Sequence, residues 1–214
     1  MPSLVGLGVA MGGTALLASP ASRIVGDPAK LTTQVLYQLI LWALLGLVIL
    51  IVIFWERRSL SSIGLIRWRW SSLTWGLGCA AFIISVNTVI VPFLTKLGIV
   101  DLSKGFAVVF SWPLWFRILA VVTAGTVEES LFRGYAIERL GLLTGSYGWA
   151  AGISLAVFGI VHLPFWGPGI LFNALFGGAA STLLYIWRRD LAACIIAHVT
   201  VDAIALIVDP ALHR

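Results

Sequence analysis

Between Thr33 and Trp55 no residue carries a charge. A run of that length meets the need of a helix crossing about 30 Å of hydrocarbon, which takes roughly 20 residues. Comparable apolar runs follow at Leu73 to Leu94, Tyr147 to Leu163, Gly169 to Trp187 and Leu191 to Val208. Hydrocarbon offers no partner to a backbone N–H or C=O, so only helices and closed barrels span it. Barrel strands alternate apolar with polar residues, whereas these runs are apolar on every side. An all-α fold follows: a polytopic helical membrane protein of about seven transmembrane helices in one bundle. With 60% hydrophobic and 11% charged residues and a mean hydropathy of +1.02, the composition excludes an ordinary soluble domain. Residues 1–214 read as a single membrane domain.

Two further helices have weaker signals. Ser3 to Ser19 is apolar but glycine-rich, and Gly8-x-x-x-Gly12 has the small-residue spacing that allows close helix approach. Ser19-Pro20-Ala21 loosely resembles a signal-peptide cleavage site, but no Lys or Arg precedes the apolar run, so a retained first helix is expected. A long helix is predicted from Leu114 to Leu140, with Pro113 at its start and Gly141 at its end.

The net charge of +5 and pI near 9.7 would suggest nucleic acid in a soluble protein. Here the basic residues flank apolar runs, which points to topology instead and to no nucleic-acid partner. Arg57, Arg58, Arg67 and Arg69, interleaved with Trp55, Trp68, Trp70 and Trp75, form an interfacial collar. With that collar cytoplasmic, alternation places Arg133, Arg139, Arg188 and Arg189 on the inner side. Arg23, Lys30, Lys96, Lys104 and Arg214 fall on the outer side, and Arg117 is expected to snorkel outward near it. Seven crossings with the amino terminus inside and the carboxyl terminus outside satisfy that bias. Cys79 and Cys194 lie in apolar segments and read as small buried hydrophobes.

Ionisable groups at membrane depth are usually functional, and they concentrate in three places. Thr126-Val-Glu128-Glu129-Ser-Leu-Phe-Arg133 carries paired carboxylates. Glu129 and Arg133 share a helix face, while Glu128 projects about 100° away and has no local partner. Phe158-x-x-x-His162 and His198-x-x-x-Asp202 follow on later helices. At about 1.5 Å per residue, Glu128 and His198 come out at roughly equal depth, and His162 somewhat further from the inner side. Such a set suits water activation: a desolvated carboxylate as general base, imidazoles for a developing oxyanion or a metal, and Asp202 to orient His198. Taken singly, each histidine could equally be a satisfied core residue. Phe158 reads as packing.

Together, Glu128-Glu129-x-x-x-Arg133, Phe158-x-x-x-His162 and His198-x-x-x-Asp202 resemble the motifs of the CPBP family of intramembrane proteases. That family includes the type II CAAX prenyl endopeptidases and the abortive-infection and bacteriocin-processing proteins. The resemblance covers 112–208 as a CPBP-like catalytic core. It implies that Glu128 activates water, that His162 and His198 complete the site, and that Glu129 and Arg133 support it. The family's last motif position is commonly Asn, implied to help hold the oxyanion; Asp202 replaces that amide with a carboxyl group. Members are described both as metalloproteases and as metal-independent glutamate proteases. Glu128, His162, His198 and Asp202 are the candidate ligands for zinc, but a His-Glu-x-x-His motif is absent and a ligating Glu is less available as base. The metal-free route is favoured and no cofactor is called for.

The expected activity is therefore intramembrane endopeptidase hydrolysis of a membrane-associated protein or peptide, with membrane lipid as the surrounding partner and the bacterial plasma membrane as location. The alternatives are a non-catalytic immunity or scaffold protein with a structural polar core, and a proton-coupled transporter, which the lack of inverted repeats disfavours.

Overall fold

In the computed structural model, residues 1–19, 24–27 and 30–208 are described. Pro20, Ala21, Arg23 and Arg214, which figure in the cleavage-site and topology readings, lie outside them. The described residues form eight helices and no strand. They are α1 (Pro2–Ala18), α2 (Leu31–Trp55), α3 (Trp70–Lys96), α4 (Ser103–Ser111), α5 (114–144), α6 (Tyr147–Trp166), α7 (Ile170–Arg188) and α8 (Leu191–Val208). Five of these, α2, α3, α6, α7 and α8, are long and apolar enough to cross a membrane, and the protein is a multi-pass integral membrane protein. The expected seven crossings depend on α1, which is shorter, and on α5, which carries five charged residues from Glu128 to Arg139.

Several boundaries differ from expectation for identifiable reasons. The α5 helix continues past Gly141, whose bare Cα packs against the Tyr147 ring, and stops at Gly145 in the left-handed region with φ of +69°. The α6 helix passes Pro164 and ends at Gly167, because a proline in the last turn leaves the earlier hydrogen bonds intact. The stretch before Pro113, which has no long apolar run, contains the short amphipathic α4. The Gly8/Gly12 pair makes no close helix contact, since a Cβ at either position would meet nothing within 4 Å. In α1 the close approaches are instead at Gly6, against the Tyr135 hydroxyl, and Gly13, against Leu44.

The core gathers around α5. Its middle, Ala124–Ile137, winds as a π-helix, a form often found at functional sites. Most of its side chains are buried, including Leu131, Phe132 and Tyr135. It packs against α1, α2, α6 and α8, while α3 and α7 close the far side of the bundle. By contrast, Arg57, Arg58, Arg67 and Arg69 and the tryptophans of the collar are exposed. Arg117 does not snorkel: it is buried and donates from Nη1 to the Leu206 carbonyl at 3.0 Å, which ties α5 to the last turn of α8.

At the end of the bundle where α2 stops, Glu56 follows directly on α2 and locks three segments together. Its Oε2 accepts from Arg139 Nε at 2.8 Å, and its Oε1 accepts from Ser3 at 2.8 Å and Tyr135 at 2.9 Å. Burial alone would raise the Glu56 carboxyl, but the hydrogen bonds from Arg139, Ser3 and Tyr135, with the Arg139 charge, outweigh it and hold it below the ordinary carboxylate range. A lowered folded-state pKa stabilises the fold above the unfolded carboxylate value, and that contribution is lost as pH falls through the folded value. Glu56→Gln is expected to strip Arg139 of its counter-charge and lower stability on the order of 3 kcal/mol. Thermal unfolding in detergent should also show the wild type losing stability below about pH 4 more steeply than the variant.

Candidate active site

Glu128 and Glu129 leave α5 in different directions, and each meets a histidine from another helix. Glu128 Oε2 stands 3.6 Å from His162 Nε2 of α6. Glu129 Oε1 stands 2.8 Å from His198 Nδ1 of α8 and 3.1 Å from Arg133 Nη1. The other nitrogen of His198 faces Asp202 Oδ2 at 3.4 Å, one turn further along α8. Two carboxylate–imidazole pairs therefore stand side by side, and the second extends to a third carboxyl group and a guanidinium.

Second partners fix each ring. His162 Nδ1 lies 2.6 Å from the Phe158 carbonyl oxygen, which can only accept, so Nδ1 carries the proton and Nε2 is turned toward Glu128. The Phe158 ring lies under the Arg133 guanidinium at 4.0 Å and against the His162 ring at 4.5 Å between centroids. Arg133 Nη2 donates to the Gly178 carbonyl at 3.2 Å, so this one side chain joins α5 to α6 and α7. Gly178 makes room for this, because a Cβ there would fall 3.0 Å from Nη2. Gly125 similarly lets α5 close onto α8 at Val199, where a Cβ would come within 2.3 Å of a side-chain methyl.

Exposure separates the two glutamates. Glu129 is 1% exposed and Arg133 2%, whereas Glu128 and His162 are each 19% exposed and Asp202 28%. The more exposed groups open onto a cavity of about 670 Å³ whose lining includes Glu128, Glu129, Arg133, Phe158, His162, His198 and Asp202. All the residues singled out in the three motifs thus border one space. The depth mismatch of His162 is closed by its side chain, which turns back one helical turn to the Phe158 carbonyl and brings Nε2 to 3.6 Å from Glu128 Oε2.

Residues 110–204 match the family model described as type II CAAX prenyl endopeptidase Rce1-like. The carboxyl-terminal part of the chain is thus similar to the Rce1-like family. No curated protein and no solved structure gives a match. The family is one of intramembrane CAAX proteases acting on membrane-associated substrates.

The cavity extends beyond the Rce1-like segment. Thr14 of α1, Tyr37 and Gln38 of α2, and Asn87 of α3 also line it. None of these carries a motif that a sequence could reveal; only polarity within an apolar run marks them. Zinc does not suit the donors as they stand. Both nitrogens of His198 face carboxylates, Nδ1 of His162 faces a carbonyl, and among the described residues no group of three or more His, Cys, Asp or Glu side chains is placed to hold a metal ion. Cys79, Cys194 and Ser130 are not among the residues that line the cavity, and Ser130 Oγ donates to the Thr126 carbonyl.

Glu129→Gln leaves a buried guanidinium without its counter-charge and is expected to lower stability on the order of 3 kcal/mol. Glu128→Gln, at a half-open position with no hydrogen bond to lose, should shift the unfolding midpoint much less. Thermal unfolding of the two variants side by side checks this.

Proposed function

We propose that this protein is an intramembrane endopeptidase that hydrolyses a peptide bond of a lipidated or otherwise membrane-associated protein or peptide, using water activated by Glu128. The observation that carries the reading is Glu128 facing His162 across 3.6 Å on the wall of a cavity large enough for a peptide segment. That separation is too long for a direct hydrogen bond and suits one water molecule held against both groups. The reading takes 112–208 as the catalytic core of one membrane domain, and a bacterial plasma membrane as its location.

The chemistry runs on this chain's own side chains. Glu128 removes a proton as the water oxygen bonds to the scissile carbonyl carbon, and the displaced π electrons move to the carbonyl oxygen. His162, its tautomer set by Phe158, orients the water through Nε2. His198 presents N–H groups toward Glu129 and Asp202, and its Nε2–H is the donor assigned to the developing oxyanion. Collapse of the tetrahedral intermediate expels the amine, which takes the proton from Glu128. A carboxylic acid, a free amine and ionised Glu128 remain, and the acid then passes its proton to the amine or to water. Asp202, where the family commonly has Asn, orients the His198 ring in this scheme and supplies no amide of its own.

The test uses the purified protein and a prenylated CAAX-type peptide. Glu128→Gln is expected to lower turnover by roughly 10²- to 10⁴-fold, the usual contribution of a positioned general base, while the variant inserts and unfolds like wild type. Retained cleavage by that variant overturns the assignment. The donor placement also predicts that chelators leave wild-type turnover intact, and loss of activity restored by zinc would replace the water-only scheme.

A further inference from the structure

Asn87 of α3 and Asn173 of α7 are absent from the three motifs, yet both line the cavity that holds Glu128 and His162. Each has a side-chain carbonyl oxygen that is buried and makes no hydrogen bond. Buried amide oxygens are nearly always paired, so two unpaired ones on one cavity wall require a reason. The packing of α3 on α7 brings them together. Trp75 stacks edge-on against Trp187 and Phe82 lies against Phe176, which makes the two helices antiparallel. Ile83 packs at Gly177, and one turn on from Ile83 is Asn87, while one turn back from Gly177 is Asn173. The two amides therefore stand opposite each other.

Their level in the bundle follows from α6. Phe158 packs at Gly178 in the antiparallel α6–α7 hairpin, so one turn outward on both helices sets Asn173 beside the level of His162. The amides therefore come from two helices that carry neither Glu128 nor His162, and they border the same cavity as both.

From this juxtaposition we infer that Asn87 and Asn173 are positioning residues that hold the main chain of an extended peptide, each primary amide donating to a peptide carbonyl and accepting from a peptide N–H, and so present the scissile bond to Glu128. A primary amide matches a peptide group in both donor and acceptor, which no other side chain except Gln does. Gln34, Gln38, Thr14 and Tyr37 also line the cavity, but of its amide side chains among the described residues only Asn87 and Asn173 have a buried oxygen with no hydrogen bond. The inference deepens the peptidase reading and rests on it for the class of ligand.

A fluorescent, prenylated-cysteine tetrapeptide with a free carboxyl terminus serves as probe, alongside analogues in which each main-chain amide is replaced in turn by an ester. Binding is measured on the Glu128→Gln protein, so the result is independent of turnover. Asn87→Leu and Asn173→Leu are each expected to weaken binding roughly five- to tenfold. In the active enzyme they should raise KM with kcat held. One ester position should weaken binding to the parent but not to the corresponding Leu variant, because the two changes remove the same hydrogen bond. Asn87→Ser and Asn173→Ser, which keep a polar group and little bulk, guard against misfolding and should fall between parent and Leu variant. Unchanged binding, or ester and Leu penalties that simply add, would mean that the pair only packs α3 on α7, and the assignment falls. Failure of the peptide to bind at all overturns it too. Binding that follows this pattern with no cleavage by the wild type would instead refute the peptidase reading and leave the amide assignment standing.

Discussion

The ion pair between Glu129 and Arg133 is the contact on which the rest of the arrangement depends. Both side chains are almost wholly buried, and removing two charges from water costs several kcal/mol per ion unless their hydrogen-bonding capacity is met. The neighbouring helices meet part of that need, with His198 of α8 at Glu129, and the Gly178 carbonyl of α7 and the Phe158 ring of α6 at Arg133, while Glu129 Oε2 and Arg133 Nη1 are buried without a hydrogen bond. Four helices are thereby fixed around one pair, and a shift of any of them would leave a buried charge exposed to an apolar neighbour.

Rigidity at that pair frees Glu128 for a different role. The adjacent carboxylate is turned away from Arg133 and toward a cavity, with only an imidazole across from it. Two consecutive residues of one type are thus separated by environment, one enclosed in an ion pair and the other left half-open on the wall of a cavity. The second network, at Glu56, does for the end of the bundle where α2 stops what Arg133 does at its middle. It attaches the amino-terminal α1 and α2 to α5, and those helices supply Thr14, Tyr37 and Gln38 to the cavity. The amino-terminal half is therefore part of the enclosure although the family match covers only residues 110–204.

Depth and helix orientation account for how far residue patterns could be read. The apolar runs identified the long helices because a bilayer imposes length and all-round apolarity on any span. They failed on α4, which is too short and amphipathic to register, and on Arg117, whose partner is a carbonyl at the far end of the chain. Gly8 and Gly12 have the spacing of a packing motif, but spacing does not choose a partner, and the contacts fell to Gly6 and Gly13.

By itself the sequence determined an all-helical membrane protein, its principal spans, and the motif residues that belong together, because hydropathy and the three- to four-residue periodicity of a helix are local properties of the chain. Only the tertiary structure decided that Glu128 pairs with His162 while Glu129 pairs with His198 and Arg133. It also brought Asn87 and Asn173 to the lining of the same cavity. Those pairings depend on the rotation and register of helices against one another, which are set by close-packed contacts between residues distant in the chain.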